Sequence, residues 1–295
     1  MRSHPPPVCR RGVPARLPVY PPTTHYAPRW ILVLLGLTVL LDASACSRRP
    51  VATGPAVPVP AAEAARLLDA LESHQQAIAR YQAVLKVRGE GPEGRFSVTE
   101  LAVFERPDRV RVELLATFGG SRWIAVTDRG EITVLFPRSR EYLQESAVED
   151  VVSALFGIRL RPEEVMSVLA GSGLPLGDAE PARAERIGER VRIVLGSDGP
   201  DARVESVDIE RGQVREAVGS QYRVSYPTDW KEQGRTAPNQ IEIESDRVRA
   251  SLTVEALDVN VKLDPEAFTI SVPEGAARLG VAEIGGEAVF VRPNQ

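Results

Sequence analysis

The hydrophobic residues of this chain follow two different spacings. Between residues 61 and 80 they recur every three or four positions, which predicts one helix over that range. From Gln82 the spacing becomes two, and short alternating segments are separated by turn residues, a pattern typical of an antiparallel meander. About eleven strands are predicted in this way, over 82–90, 95–107, 109–115, 122–128, 131–137, 141–145, 191–196, 203–210, 221–227, 240–245 and 248–257.

Helical spacing returns in the middle of the chain. The segment from Val148 predicts a short helix that ends at Gly157, and a second short helix has Pro162 in its first turn and Gly171 at its end. Because the sheet has one apolar face that the helices must cover, all these elements belong to one domain. The predicted fold class is therefore α+β, with a curved antiparallel sheet.

The apolar face of the predicted sheet allows two interpretations. Its residues are mid-sized and aliphatic, and aromatic residues make up only 5% of the chain. Such a face can pack as a dry core against the helices, which the periodicity alone favours, or it can enclose a cavity for flexible acyl chains. The residues expected to line such a cavity are Leu85, Val87, Val110, Val112, Leu114, Ile132, Val134, Leu155, Phe156, Ile193 and Leu195.

The loop that follows the strand at 109–115 carries an apolar residue at its turn. Phe118 precedes Gly119 and Gly120, whereas turns are normally polar. Phe118 either folds back onto the sheet or protrudes as a wedge into lipid or into the apolar surface of a partner. The second interpretation makes Phe118, Gly119 and Gly120 a candidate membrane-insertion loop.

The N-terminal segment has the pattern of a bacterial lipoprotein signal. Five arginines precede an apolar block that begins at Trp30, and this block is shorter than the roughly 20 residues of a membrane-spanning helix. The small residues at 43–45 stand directly before Cys46, which predicts cleavage there and attachment of lipid to the Cys46 thiol. Ordinary secretion with cleavage near Ala45 and a retained transmembrane anchor are the alternatives.

This signal defines the expected domain organisation. Residues 1–45 form the signal peptide, 46–60 a Pro/Ala-rich tether, and 61–295 the α+β domain. Ser47 follows the cysteine, rather than the aspartate that retains lipoproteins in the inner membrane, so the expected location is the periplasmic face of the outer membrane. No further cysteine follows Cys46, and the domain must therefore rely on its core rather than on disulfides.

The charge of the chain and its lack of catalytic motifs exclude several classes of function. From Cys46 onward the chain has 31 Lys and Arg residues against 39 Asp and Glu residues, a sign opposite to that of nucleic-acid-binding proteins. His74 is the only histidine in this part of the chain, and it is predicted to be an exposed helix residue. Because no catalytic triad, metal-ligand spacing or phosphate-binding loop is present, an enzyme, a cofactor and a metal are not expected.

Two stretches of the chain resemble a known family. The run LLATFGGSRWIAVTDRGEITVLFPRSREYLQESAVEDVVSALFGIRLRPEEVMSVLAG, residues 114–171, has the order of elements found in LolB-like outer-membrane lipoproteins of the LolA/LolB lipoprotein-localisation superfamily. The segment 237–243 and the alternating strand from Val248 to Leu257 add a second match. The resemblance covers residues 61–258, and Phe118 stands where the family has leucine.

The resemblance implies a half-barrel of about eleven antiparallel strands with helices as a lid over the concave apolar face. It also implies a monomer that accepts lipoproteins from a soluble periplasmic carrier of the LolA type and inserts them into the outer membrane. Acyl chains would occupy the cavity, and the apolar loop would help to release them. A lipid-anchored structural or adaptor protein of an envelope complex, with a different hydrophobic ligand or a protein partner, is the alternative.

Overall fold

Hydrogen bonds between neighbouring strands build one large sheet. The computed structural model describes residues 54–92, 94–116, 119–177, 179–196 and 205–284. The strands within these residues are β1 (Val57–Pro58), β2 (Arg80–Gly91), β3 (Gly94–Glu105), β4 (Arg109–Leu115), β5 (Ser121–Asp128), β6 (Glu131–Phe136), β7 (Glu141–Glu145), β8 (Pro181–Ile187), β9 (Arg190–Leu195), β10 (Glu205–Glu210), β11 (Gln213–Val218), β12 (Arg223–Ser225), β13 (Gln240–Glu244), β14 (Arg249–Val259) and β15 (Ala277–Arg278).

The sheet is open rather than closed on itself. Its strand order is β1-β8-β9-β10-β11-β12-β13-β14-β2-β3-β4-β5-β6-β7-β15, and every pair is antiparallel except β7 with β15. The register shifts between Val254 and Ala256 in β14 and between Leu114 and Leu115 in β4, and irregularities of this kind bend a sheet. The predicted α+β fold with a curved antiparallel sheet is confirmed.

The sequence predicts about eleven strands, whereas the described residues contain fifteen. The four additional strands are β1, β8, β11 and β15. Strands β1 and β15 have two residues each, and β8 buries only Ala184, so these strands carry almost no hydrophobic pattern. Strand β11 breaks the alternation because it buries Arg215, which pairs with Glu210 and Asp229.

Short strands cover both ends of the sheet. Residues Val57–Pro58, which fall at the end of the predicted tether, pair with β8. At the other end Ala277–Arg278 pair with β7. A bare edge strand offers unpaired N–H and C=O groups to other chains, so these two segments leave less of that backbone exposed.

In the described part of the chain, three helices with apolar faces and one short helix accompany the sheet. They are α1 (Ala61–Ala77), α2 (Val148–Phe156), α3 (Pro162–Ala170) and α4 (Val281–Ile284). The predicted ends at Gly157 and Gly171 are confirmed, since both glycines have the left-handed conformation, with φ of 67° and 89°. Within the described residues, no helix is both long and apolar enough to cross a membrane.

Helix α1 ends earlier than the predicted residue 80. The side chain of Asn260, at the end of β14, accepts hydrogen bonds from the backbone N–H groups of Ala79 and Arg80 and donates one to the carbonyl of Ala77. This contact from a distant strand turns the chain out of the helix and into β2. It could not be predicted from local spacing, because the two segments lie about 180 positions apart.

Side chains on one face of the sheet form the main core together with α1, α2 and α3. On the other face a smaller cluster joins Val103 of β3 and Val126 of β5 to Phe268. The Arg109 guanidinium lies 4.9 Å from the centre of the Phe268 ring. The segment around Phe268 therefore covers the outer face of the strands whose inner face encloses the cavity described below.

Candidate functional site

An apolar cavity of about 140 Å³ lies between the inner face of the sheet and helices α2 and α3. Strands β2 to β6 form one wall, β13 and β14 contribute at one side, and α2, α3 and their connection form the opposite wall. The lining residues are Leu85, Val87, Phe96, Val98, Glu100, Ala102, Val110, Val112, Ala125, Thr127, Ile132, Val152, Phe156, Ile158, Leu160, Pro162, Val165, Val168, Leu169, Ile243, Val248, Ala250 and Leu252.

The structure brings six of the eleven predicted cavity residues together at this site. They are Leu85, Val87, Val110, Val112, Ile132 and Phe156. The other five are buried in the same core but do not line the cavity, namely Leu114, Val134, Leu155, Ile193 and Leu195. Two of these lie on β9, several strands away from the cavity in the sheet order.

Half-buried apolar side chains line the cavity where it meets solvent. The partly exposed lining residues are Phe96, Val98 and Leu252 on the sheet and Phe156, Pro162 and Val165 on the helix side. We call the three sheet residues the cavity mouth. A Cβ atom at Gly89 would come within 2.5 Å of the Phe96 ring. The absence of a side chain at Gly89 is therefore what allows the Phe96 ring to lie against β2 at the mouth.

A carboxyl group lines this apolar cavity. Glu100 occupies the inward series of β3 between Val98 and Ala102, and only 7% of its surface is exposed. Within the described residues it has neither a hydrogen-bond partner nor an ion-pair partner. Burial raises the pKa of the Glu100 carboxyl to about 7, because an apolar site disfavours the charged form.

Among the described residues, Thr127 is the only other lining residue with a polar side chain, and its hydroxyl is already hydrogen bonded. It accepts a hydrogen bond from the backbone N–H of Val110 at 3.0 Å and lies 3.2 Å from the carbonyl of Asp108, to which it can donate. Glu100 is thus the one lining side chain with free hydrogen-bonding capacity. The sequence could have indicated it, because its position belongs to the alternating inward residues of the strand, but a search for apolar residues passes over it.

The candidate insertion loop joins β4 to β5. The backbone N–H of Ala116 donates to the carbonyl of Gly120, and Gly119 and Gly120 have φ of 92° and 76°, values that favour glycine. Leu115, just before the loop, pairs with Thr99, the neighbour of Val98. The described part of the loop therefore follows β4 at the end nearest the mouth, while Phe118 and Cys46 lie outside the described residues.

His74 differs from its prediction as an exposed residue. Its ring lies 5.3 Å from that of Trp230 and is partly buried. Burial, together with the nearby Lys231 charge, lowers the pKa of the His74 imidazole. His74 does not line the cavity, and in the described part of the chain no three His, Cys, Asp or Glu residues are grouped to hold a metal ion.

The chain matches no family model and no curated protein. Among solved structures, it is similar to a LolA superfamily protein from Nitrosomonas europaea, with a TM-score of 0.49, 12% identity, and coverage of 72% of this chain and 98% of the other. A DUF1329 family protein from Desulfovibrio piger gives a TM-score of 0.49 and 10% identity over 69% of this chain and 96% of the other.

A domain from Vibrio parahaemolyticus, described as a possible outer membrane lipoprotein-sorting protein, gives a TM-score of 0.45 and 6% identity over 71% of this chain and 97% of the other. Similarity at this level does not identify a ligand.

Proposed function

We propose that this protein is a lipid-anchored envelope protein that binds the acyl chains of other lipoproteins in its cavity. In this proposal Cys46 carries the lipid that holds the protein at the outer membrane, where it accepts lipoproteins from a soluble periplasmic carrier and inserts them into the bilayer. The observation that carries the proposal is the composition of the cavity, where Glu100 is the single ionisable residue among the 23 described lining residues.

Transfer of acyl chains requires no covalent chemistry. Each methylene group that leaves water for an apolar site contributes about 0.8 kcal/mol, so a cavity lined by aliphatic side chains is sufficient to hold a chain. An empty cavity of about 150 Å³ lined by Leu, Ile and Phe can stay dry and bind an apolar molecule. The 140 Å³ cavity of this protein has a comparable volume and lining.

A complete acyl chain requires more room than the 140 Å³ cavity provides, since ligand sites typically measure about 300–1,000 Å³. We therefore propose that the wall formed by α2 and α3 moves outward when a chain enters. Both helices end at glycines in the left-handed conformation, Gly157 and Gly171. Neither helix is paired into the sheet, so the wall can move without breaking strand pairing. Outward movement of α3 would break the hydrogen bond that the Tyr226 hydroxyl donates to the carbonyl of Val168.

The position of the β4–β5 loop supports a role in release. The loop follows Leu115 at the end of the sheet nearest the mouth, so an apolar side chain carried by it would be near an emerging acyl chain. We propose that Phe118 enters the periplasmic leaflet of the target bilayer and gives the chain an apolar path out of the cavity. Gly119 and Gly120 supply the turn.

The small volume of the cavity favours one alternative, a structural or adaptor lipoprotein whose core does not open while its surface binds a protein partner. Depletion in the host, followed by separation of inner and outer membranes and immunoblotting of several lipoproteins, tests the two functions. The transfer function predicts that lipoproteins leave the outer membrane and accumulate on the inner membrane or on the carrier. An unchanged distribution contradicts it and favours the adaptor.

A further inference from the structure

The inward-facing residues of β3 run from the mouth into the core in the order Phe96, Val98, Glu100, Ala102 and Phe104. The first two are half-exposed, whereas the last two are at most 2% exposed. Successive inward residues of a strand lie about 7 Å apart. The Glu100 carboxyl therefore stands about 7 Å inside the mouth, with apolar lining on both sides of it.

A carboxyl at this depth carries a desolvation cost that no protein partner in the described residues offsets. Burying a polar group that has no hydrogen-bond partner destabilises the folded protein. No lining residue compensates for it, because Thr127 is already hydrogen bonded to the backbone of β4 and its neighbours. No charged side chain lines the cavity from the facing elements β2, β4, β5, β14, α2 or α3 either. Within the described residues no protein group pairs with this carboxyl, so a hydrogen-bonding group on a ligand can take that place.

We infer that the cavity selects lipid chains carrying a neutral hydrogen-bonding group, such as an amide, an ester or a hydroxyl, and that Glu100 is the residue that binds this group. This inference rests on the proposed acyl-chain function and specifies the ligand of the same cavity. Because the lining continues beyond Glu100, the group lies within the carbon skeleton of the ligand. The linkage between an acyl chain and its head is such a group.

Charged groups fit the site less well. An ammonium ion has three N–H donors, and the described cavity offers only the Glu100 carboxylate to accept them, so two charges would be buried with incomplete hydrogen bonding. A ligand carboxylate would face Glu100 and the pair would have to share a proton. A neutral amide can donate to the ionised carboxyl or accept from the protonated one, and it therefore fits both states.

The test uses the full-length chain with Cys46→Ser, which removes the lipidated thiol, and two ligands. Diphenylhexatriene is a pure hydrocarbon whose fluorescence rises in apolar sites, and N-methyldecanamide is a neutral chain with one internal amide. The variants are Glu100→Leu, which removes all hydrogen bonding, and Glu100→Gln, which keeps it without charge. Glu255→Leu, at an exposed position of β14, is the control, and circular dichroism checks the fold.

We expect Glu100→Leu to require about tenfold more N-methyldecanamide to displace diphenylhexatriene, which corresponds to the loss of one hydrogen bond to the ligand. Glu100→Gln should stay within about threefold of the parent, and Glu255→Leu should match it. Equal displacement from the parent and from Glu100→Leu would overturn the inference. Two other outcomes would instead overturn the proposed function. One is that the parent does not bind diphenylhexatriene, and the other is that Ala125→Leu, which fills the cavity, does not weaken this binding.

Discussion

Glu100 on β3 lies directly opposite Leu85 on β2 in the antiparallel register, and both side chains line the same apolar cavity. Hydrophobic pairs across strands stabilise a sheet, whereas a carboxyl opposite a leucine in such a site must either lose its charge or find a partner. This pair therefore couples the stability of the fold to pH and to the ligand.

The first prediction concerns pH and Glu100→Gln. Because burial raises the Glu100 pKa from its ordinary value of 4.5 to about 7, the folded state binds the proton more tightly than the unfolded state. The resulting stabilisation is complete below pH 4.5 and is lost as the pH rises through 7, by up to about 3 kcal/mol. Urea unfolding at pH 5 and pH 8 should show this loss for the parent and a smaller loss for Glu100→Gln.

The parent and Glu100→Gln share all other titrating groups. The difference between their losses in free energy of unfolding is therefore due to Glu100. Equal pH dependence in the parent and in Glu100→Gln would show that the carboxyl is solvated in the folded state, contrary to its 7% exposure.

The second prediction concerns the volume of the cavity. Ala125 on β5 is 6% exposed and lines the cavity, so Ala125→Leu fills empty space. We expect the free energy of unfolding to change by less than about 1 kcal/mol, because no packed atoms are displaced, and acyl-chain affinity to fall about tenfold or more. Isothermal titration with N-methyldecanamide measures the affinity. Ala256→Leu, at an exposed position on β14, is the matched control.

The third prediction separates binding from release. Phe118→Glu should leave folding and acyl-chain affinity unchanged but slow the transfer of a fluorescent lipopeptide to vesicles about tenfold, because a charged loop does not enter a bilayer. Phe118→Leu keeps an apolar side chain and should transfer at nearly the parent rate. If the glutamate variant releases lipopeptide as fast as the leucine variant, Phe118 has no role in release.

The fourth prediction concerns the contact that ends α1. Asn260 has a φ of 57° and hydrogen bonds to Ala77, Ala79 and Arg80. Asn260→Ala loses these bonds and strains the backbone, and it should lower the free energy of unfolding by about 2 kcal/mol. Asn260→Gly relieves the strain and should lower it by about 1 kcal/mol. Urea denaturation compares them, and equal values for the two variants would contradict the strain contribution.

The parts of the fold that local spacing could predict are those with a strong pattern. Val110 and Val112 alternate with arginines, and both the strand and their inward direction follow from that alternation. The ends of the predicted helices at Gly157 and Gly171 follow from the left-handed conformation that glycine readily adopts there. By contrast, β15 forms only because its two residues meet β7, and such a contact leaves no periodic signal.

The candidate site was harder to predict because one apolar face serves two purposes. Ile193 and Leu195 alternate as regularly as Leu85 and Val87, yet the first pair packs in the core while the second lines the cavity. Only the order of strands in the sheet distinguishes the core pair from the cavity pair. Apolar periodicity does not predict Glu100 as a cavity residue, because its side chain is charged although its position belongs to the inward series of β3.

The central claim is that the cavity takes the acyl chains of lipoproteins. The most direct measurement is the binding of a triacylated cysteinyl peptide with a fluorophore on its peptide part, followed by fluorescence anisotropy, with the same peptide lacking acyl chains as the control. We predict saturable binding of one lipopeptide per protein, no binding of the control peptide, and binding at least about tenfold weaker for Ala125→Leu than for Ala256→Leu. Equal binding by these two variants, or no binding by the parent, would contradict the claim.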